Sequence, residues 1–423
     1  MNLSYPYDER SVNKNIPQDF STVQYASLND AISVIQELGP NCYMAKADIA
    51  DAFRIVPLHP SQYNLTGAKW QGQYYYDKNL PMGCSSSCKI FETISSAIVH
   101  ILKEKYGVKH IVKILDDFLF IAKTREECAR ALKSFLDVCK LLNIPINWEK
   151  TSKHPGFVII FVGIELDTIK MVARLPQEKL DKYSQLVQDT LLLDYIRVRQ
   201  LKSVIGSLQF ATTVVRPGKP FLRRLIDCTI GKSLAHFVSL TSEDKLDLVM
   251  WKDFLSQYNG VTVIRQTPII NSTSINLFTD ASKIGYGGTF GTFWVQGTWP
   301  NLQWAERNIA VLELWPIYVL IAMFGNKMAN NRVLFRCDNI AIVQVINKQT
   351  AKYTEIMTIL RPLILCLLKH NIRFRAEHIP GVQNKLSDAI SRFQVTPALL
   401  KHYGMQSTST PIPAHLQPSS FNL

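Results

Sequence analysis

The stretch KILDDFLFIA, Lys113 to Ala122, sets two adjacent aspartates inside an apolar, β-favouring run. Aspartate is a poor strand residue, and a charged carboxylate resists burial. Any fold for this chain must therefore give Asp116 and Asp117 access to water or to a cation. Two local structures do so: a hairpin turn whose bend happens to be acidic, and a metal site at that bend. Ten residues do not separate the two.

At 423 residues the chain exceeds one ordinary core, and two or three domains are expected. An apolar content of 47% with 19% charged residues describes a globular protein rather than a disordered one. Lys and Arg number 47 against 34 Asp and Glu, a net charge of +13, which favours a polyanionic partner, nucleic acid before membrane. Between Met171 and Lys232 stand 11 Lys+Arg and 5 Asp+Glu, so 11 − 5 = +6 lies in one helical stretch. A solvated helical face explains that stretch as readily as a polyanion grip does.

Eight cysteines are scattered without a CxxC pair, and Cys84 and Cys88 have no partners at zinc-ligand spacing. Reduced, mostly buried thiols are expected, in an intracellular protein that is cytoplasmic or nuclear and not secreted. The start, MNLSYPYDER, lacks a signal pattern. The apolar runs Val311 to Phe324 and Ile356 to Leu368 fall short of ~20 residues. Glu313 interrupts the first and Arg361–Pro362 the second, so both are expected as core helices.

Along the chain, a helix is expected over Leu28 to Leu38, a strand through CYMAKADIADAF, a Gly/Ser loop in LPMGCSSSC and a helix over Lys89 to Lys103. Thr124 and Glu127 mark a capping box before Cys128, Leu132, Phe135, Cys139 and Leu142 at helical spacing. GFVIIFVGIELD reads as a strand or hairpin. A polar link over Asn259 to Ser274 precedes a fresh α/β alternation: strands LFTDAS, IGYGGTF, RVLFRCDN and IRFRAEHIP, with helices at VLELWPIY and KLSDAISRF. From about Gln394 the apolar period is lost and Pro, Ser and Thr accumulate.

The first constellation is Asp48 with Asp116 and Asp117. Nucleotidyl transfer requires two cations clamping the attacking 3′-oxygen, the leaving oxygen and the triphosphate. Two or three aspartates on neighbouring strands suffice to hold Mg²⁺. The order Asp strand, LPMG loop, helix, Asp-Asp hairpin resembles the palm of reverse transcriptases: DIADAFRIVPLHP, LPMGCSSSCKIFE, ILDDF and FVGIEL match its successive motifs. The resemblance implies that Asp48, Asp116 and Asp117 are the metal carboxylates, Asp117 often the less essential. It implies that Phe53 excludes a 2′-hydroxyl, and that Met82 and Gly83 lie beside the incoming base and template. Lys150 or Lys153 would be the lysine near the triphosphate. Without the family, Phe53 and Met82 read as core packing. The segment LKSVIGSLQFATTVVRPGKPFLRRL resembles the thumb and connection of DIRS-like, tyrosine-recombinase retroelements, which implies a basic grip on the template–primer backbone.

The second constellation is Asp280, Glu313, Asp338 and Asp388. Each alone has a plain explanation in strand-end polarity, a helix stripe or a cap. In the order strand, helix, strand, helix they resemble ribonuclease H, through FTDASKIGYGG, LELWPIY and EHIPGVQNKLSDAISRF. His378 would match the mobile-loop histidine of that family. The chemistry implied is two-metal hydrolysis of the RNA strand.

The fold class expected is therefore a multidomain α+β and α/β chain. It comprises partial fingers and palm (1–170), a helical basic thumb or connection (171–262), a ribonuclease H-like α/β domain (270–395) and a disordered tail (396–423). The implied cofactor is Mg²⁺, two ions per active site, with Mn²⁺ as the alternative. The implied partners are RNA template, DNA primer, RNA–DNA hybrid and dNTPs, with no membrane. The chain starts within the fingers of the family pattern, so it is expected to be a piece of a larger retroelement polyprotein or a truncated copy. The alternative function is a remnant that only binds RNA–DNA duplexes or only cleaves their RNA.

Overall fold

The part of the run that follows Asp116 forms the central strand of a three-stranded sheet and is buried on both faces, whereas the part before it lies at the edge. The computed structural model describes residues 2–257, 262–264 and 269–421. Two compact units emerge, residues 1–176 with 260–265, and residues 177–259 with 266–423.

The first unit begins with irregular chain and helix α1 (Leu28–Leu38), whose start is closed by reciprocal hydrogen bonds between Ser27 and Asp30. Strand β1 (Tyr43–Asp48) follows, then a hairpin of β2 (Gly67–Trp70) and β3 (Gln73–Tyr76), helix α2 (Ser87–Tyr106), strands β4 (Ile111–Ile114) and β5 (Asp117–Ala122), and helix α3 (Arg125–Leu141). The first sheet is antiparallel in the order β1-β5-β4. Phe118 and Phe120 of β5 pack on Phe135 of α3, at ring-centroid distances of 4.6 and 5.5 Å. Leu119 and Ile121 are buried on the other face, so the run has no polar alternation. Thr124 Oγ1 accepts from the Glu127 amide and sets the start of α3. Cys128, Leu132, Phe135 and Cys139 are buried along its inner stripe, whereas Leu142 at the helix end is exposed. A second sheet orders β6 (Val158–Phe161), β7 (Ile164–Asp167) and β8 (Val172–Arg174), extended by the strand Thr262–Val263.

In the second unit, α4 (Gln177–Leu191), β9 (Tyr195–Arg197), α5 (Val198–Ala211), α6 (Arg223–Asp227), β10 (Phe237–Ser239) and α7 (Ser242–Gln257) build the basic helical stretch. The strand Thr262–Val263 counts as β11 in chain order. The α/β part then carries β12 (Ile269–Asn271), β13 (Phe278–Ala281), β14 (Gly285–Phe290), β15 (Phe293–Thr298), α8 (Leu302–Ala305), α9 (Ile309–Phe324), β16 (Arg332–Cys337), α10 (Ile340–Lys348), α11 (Thr354–Lys369), β17 (Arg373–His378), α12 (Lys385–Ser391) and α13 (Pro397–His402). Strands β13-β14-β15 are antiparallel and β12-β16-β17 parallel.

The helical stretch, expected as a domain of its own, shares this unit with the α/β part. Buried Asp247 of α7 explains the union: it accepts from Arg224 of α6 at 2.9 Å and from Arg361 of α11 at 3.1 Å. Removing one member would strand the others in a low-dielectric interior. The segment Ile309–Met328 is long and apolar enough to cross a membrane, yet 72% of it is buried inside the unit, as a core helix requires.

The expectation of a disordered tail is overturned for its described part. Thr396 caps α13 through the Leu399 amide, Trp294 Nε1 donates to the Gln406 carbonyl at 2.9 Å, and Phe421 lies edge-on to Trp315 at 4.8 Å. Leu400, Met405 and Leu416 are buried. Isolated anchors spaced among Pro, Ser and Thr hold this segment, so no apolar period marks it.

Candidate active sites

Asp48 ends β1 and Asp117 begins β5, and the two are direct cross-strand partners. Register alone therefore sets their side chains next to each other. Ile114 pairs with Asp117, which leaves Leu115–Asp116 as a two-residue turn. Leu115 has φ of 54°, a left-handed conformation that costs a non-glycine residue roughly 1–3 kcal/mol. The Ile49 amide donates to the Asp116 carbonyl at 3.1 Å and ties the bend to the end of β1. The opening stretch is a hairpin, and its bend brings Asp116 and Asp117 beside Asp48.

Asp48 is buried, and its amide donates to Thr151 Oγ1 at 3.2 Å. Lys150 and Lys153 are both exposed, and it is Lys150 whose Nζ stands 3.4 Å from Asp48 Oδ2. Burial, with Asp116 and Asp48 adding like-charge repulsion, pushes the Asp117 carboxyl up to about 6. Asp116 is raised by burial and by Asp48, with Lys150 opposing. Three carboxylates facing one ammonium leave an excess of negative charge on hard oxygen donors, which fits a divalent oxygen-seeking cation.

Phe53 is half-buried and lies edge-on to Phe91 at 5.9 Å, so it does pack against the core. Met82 is not a core residue: it is 67% exposed in the loop before α2. Gly83 has φ of 93°, a conformation suited to glycine. Asn13, 70 residues away in sequence, holds this loop, donating to the Gly83 carbonyl at 2.8 Å and accepting from the Ser85 amide at 2.9 Å.

In the second unit the carboxylates gather at one end of the strands. Asp280 is on β13, Asp338 follows β16, Glu313 projects from α9 and Asp388 from α12. Ligand atoms of Glu313, Cys337 and Asp338 all lie within 4.8 Å of one another. Burial pushes the Glu313 carboxyl up to about 7 and that of Asp280 up to about 6, with Asp338 adding repulsion to both. Burial also pushes the Cys337 thiol up to about 12, so it is neutral at pH 7 and leaves the carboxylates as the hard-cation donors. Asp388 is half-buried and pairs with Arg392 at 2.7 Å, and its charge reaches Asp280. His378 is the exposed last residue of β17, in register with Cys337, rather than part of a loop.

Close packing sets α12 against the sheet. A Cβ at Gly287 would lie 2.2 Å from Ile390 Cγ2, and one at Gly288 2.7 Å from Leu320 Cδ1, so the paired glycines let α12 and α9 approach opposite faces of β14. Residues of α12 and its cap then reach the carboxylates. Ser391 Oγ donates to Asp280 Oδ2, and Asn384 Nδ2 donates to Asp338 Oδ2 at 3.3 Å and to the Thr279 carbonyl at 2.9 Å. Asn384 Oδ1 is buried and has no partner among the described residues, an acceptor left over beside the carboxylates. That leftover acceptor and the raised carboxyls fit a divalent cation here as well. Asn13, Thr151, Asn384 and Ser391 escape the sequence reading. For the last two a signal exists, since each flanks Asp388 at one-turn spacing in NKLSDAIS.

Residues 5–166 match the family described as reverse transcriptase (RNA-dependent DNA polymerase). This segment is a reverse transcriptase domain. The chain is also 23% identical over 242 residues to the Pro-Pol polyprotein of simian foamy virus type 1, covering 57% of this chain and 19% of that protein. Protein P of heron hepatitis B virus is 21% identical over 239 residues, 56% of this chain and 28% of that one. The chain thus spans less than a third of these relatives. Among solved structures, the foamy viral protease-reverse transcriptase in complex with RNA/DNA hybrid is 16% identical with a TM-score of 0.49, covering 88% of this chain and 48% of that one. The dRH form of the foamy viral protease-reverse transcriptase in complex with double-stranded DNA has a TM-score of 0.48, covering 88% of this chain and 62% of that one.

Proposed function

We propose that this chain extends a DNA primer on an RNA template with dNTPs, and that its second unit hydrolyses the RNA of RNA–DNA hybrids as a ribonuclease H. The observation that carries the reading is the pairing of Asp48 with Asp117 across β1 and β5 beside the Asp116 bend. When bound, two Mg²⁺ ions per site would supply Lewis acidity and charge neutralisation for phosphoryl transfer. Asp48, Asp116 and Asp117 would hold them in the first unit; Asp280, Glu313, Asp338 and Asp388 would in the second. Lys150, already drawn to Asp48, offers its ammonium to a triphosphate once the carboxylates have another cation. Phe53, braced by Phe91, would wall off a 2′-hydroxyl. The loop of Met82 and Gly83, pinned by Asn13, would border the base pair being formed. His378, the last residue of β17, would move a proton during hydrolysis or product release.

The likeness of the helical stretch to DIRS-like elements supports assigning the chain to a retroelement polyprotein of that group, acting in the cytoplasm or nucleus. The grouping of Glu313, Cys337 and Asp338, whose ligand atoms lie within 4.8 Å of one another, favours a second reading in which only RNA cleavage operates. One assay separates them: purified chain, labelled RNA–DNA primer–template and Mg²⁺, scored for extension and for RNA cleavage. Asp116→Asn should abolish extension alone and Asp338→Asn cleavage alone. Duplex binding with neither reaction would overturn both.

A further inference from the structure

The two aspartates of the Asp116–Asp117 bend are placed by different strands. Asp117 belongs to β5 and is fixed by the β1–β5 register that pairs it with Asp48. Asp116 lies in the turn, so its position also depends on β4, which meets β5 at Ile114–Asp117. Strand β4 is the edge of its sheet, four residues long, and only Val112 among them is buried. Apolar packing therefore holds β4 weakly, although Leu115 after it must keep a strained φ of 54°.

A charged pair supplies the missing hold. Lys113, three residues before Asp116, turns its side chain inward onto α2, and only 11% of that side chain stays exposed. Its ammonium pairs with Glu92 Oε1, donates to Ser95 Oγ at 2.9 Å and reaches the Glu92 carbonyl at 3.4 Å. Those three acceptors match the three hydrogens of an ammonium. Glu92 and Ser95 stand one helical turn apart on α2, beside buried Phe91, Ile98 and Leu102. Glu92 Oε2 is buried with no hydrogen-bond partner among the described residues, so this carboxylate depends on the Lys113 ammonium. The same helix starts at the loop of Met82 and Gly83, where Ser87 Oγ donates to the Pro81 carbonyl at 2.7 Å. One rigid element thus carries that loop at its start and the anchor of β4 along its length.

Support and placement separate energetically. Replacing a buried ion pair by apolar residues of similar volume is often neutral for stability. Apolar contacts are non-directional, whereas a saturated ammonium fixes one strand position, and a one-residue slip would turn β4 inside out. We propose that Lys113 and Glu92 are positioning residues for nucleotidyl transfer: their buried pair pins β4 to α2 and so sets Asp116 against Asp48. Both act through Asp116 rather than on the substrate. The proposal rests on the primer-extension reading of the first site.

The test compares the full chain with a Glu92→Leu/Lys113→Met double variant, which removes the pair and keeps much of its volume. The melting temperature should stay at the wild-type value. The kcat of primer extension should fall about 10–100-fold with the KM for primer–template unchanged, because a reacting group is displaced while substrate binding is left alone. Hydrogen exchange of the metal-free protein, read residue by residue by mass spectrometry, should quicken at the Ile49 amide, which donates to the Asp116 carbonyl, and not along the β1–β5 ladder. Should the double variant unfold, Ser95→Ala, which removes one acceptor and leaves the pair, carries the test with a kcat loss of roughly 3-fold and the same change in exchange. A folded variant with wild-type kcat and wild-type Ile49 exchange overturns the proposal, as does a rate loss that only follows a lowered melting temperature. Failure of the wild type to extend a primer overturns instead the reading on which the proposal rests, and the exchange comparison then still decides whether the pair holds the bend.

Discussion

Replacing Glu313 by Gln should make the metal-free protein more stable at neutral and alkaline pH. The fold holds this carboxyl at about 7 against an ordinary 4.5, through burial first and then Asp338 and Asp280, while Asn339 hydrogen bonding opposes. The sign follows from linkage: a raised folded-state value means that the fold prefers the protonated acid, so its contribution is fully present below about 4.5 and is lost as pH rises through about 7. The difference between about 7 and 4.5 sets a ceiling near 3.5 kcal/mol, at about 1.4 kcal/mol for each tenfold change in proton affinity. Gln keeps the shape and a carbonyl acceptor for Asn339 but never ionises. The variant should match wild type at about pH 4 and exceed it by roughly 2–3 kcal/mol at about pH 8, or roughly 4–12 °C in melting temperature for a unit of this size. The assay is thermal unfolding in EDTA followed by tryptophan fluorescence. Five of the seven tryptophans, Trp251, Trp294, Trp299, Trp304 and Trp315, belong to the second unit, so the signal reports chiefly on it. Adding Mg²⁺ at about pH 8 should stabilise wild type more than the variant. A melting difference that stays constant from acid to alkaline pH would refute the reasoning, because it would show that Glu313 does not carry a strained charge in the folded state.

Ser391→Ala removes the hydroxyl that donates to Asp280, and should weaken Mg²⁺ binding to the second unit by ~10–100-fold in a calorimetric titration with the fold retained. Asp247→Ala leaves Arg224 and Arg361 without their shared carboxylate, and should cost about 3–5 kcal/mol in urea unfolding of the second unit; an Arg361→Met change in the same chain should recover part of that loss. Phe135→Ala empties the site on which Phe118 and Phe120 both pack, and should destabilise the first unit by about 3–5 kcal/mol and reduce primer extension, since the strand that bears Asp117 loses its support.

Much of the first site is legible in the sequence because it is built from short-range features. Two aspartates in an apolar run, a strand ending in Asp48 and a loop with a glycine are local patterns, and antiparallel pairing across a two-residue turn has few registers to choose from. Lys150 beside Asp48 could be narrowed only to a pair of lysines, since which of two nearby side chains turns inward depends on the path after α3. Asn13 could not be found at all. Its contact with Gly83 and Ser85 spans some 70 residues and leaves no periodic trace.

In the second unit the sequence by itself determined most of the alternation of strands and helices, though not β12 or β15, and the four carboxylates, because periodicity and buried charge are written residue by residue. Only the tertiary structure decided that Ser391 holds Asp280, that Asn384 bridges Thr279 and Asp338, and that Arg332 and Arg373 stand side by side on one face. It also decided that the basic helical stretch shares a unit with the α/β part through Asp247 and Arg361, and that the polar tail folds on scattered anchors such as Phe421. The physical reason is common to all of these. A strand or helix is set by neighbours within a few residues, whereas a hydrogen bond to a carboxylate or a strand register is set by which distant segments come together when apolar surface leaves water.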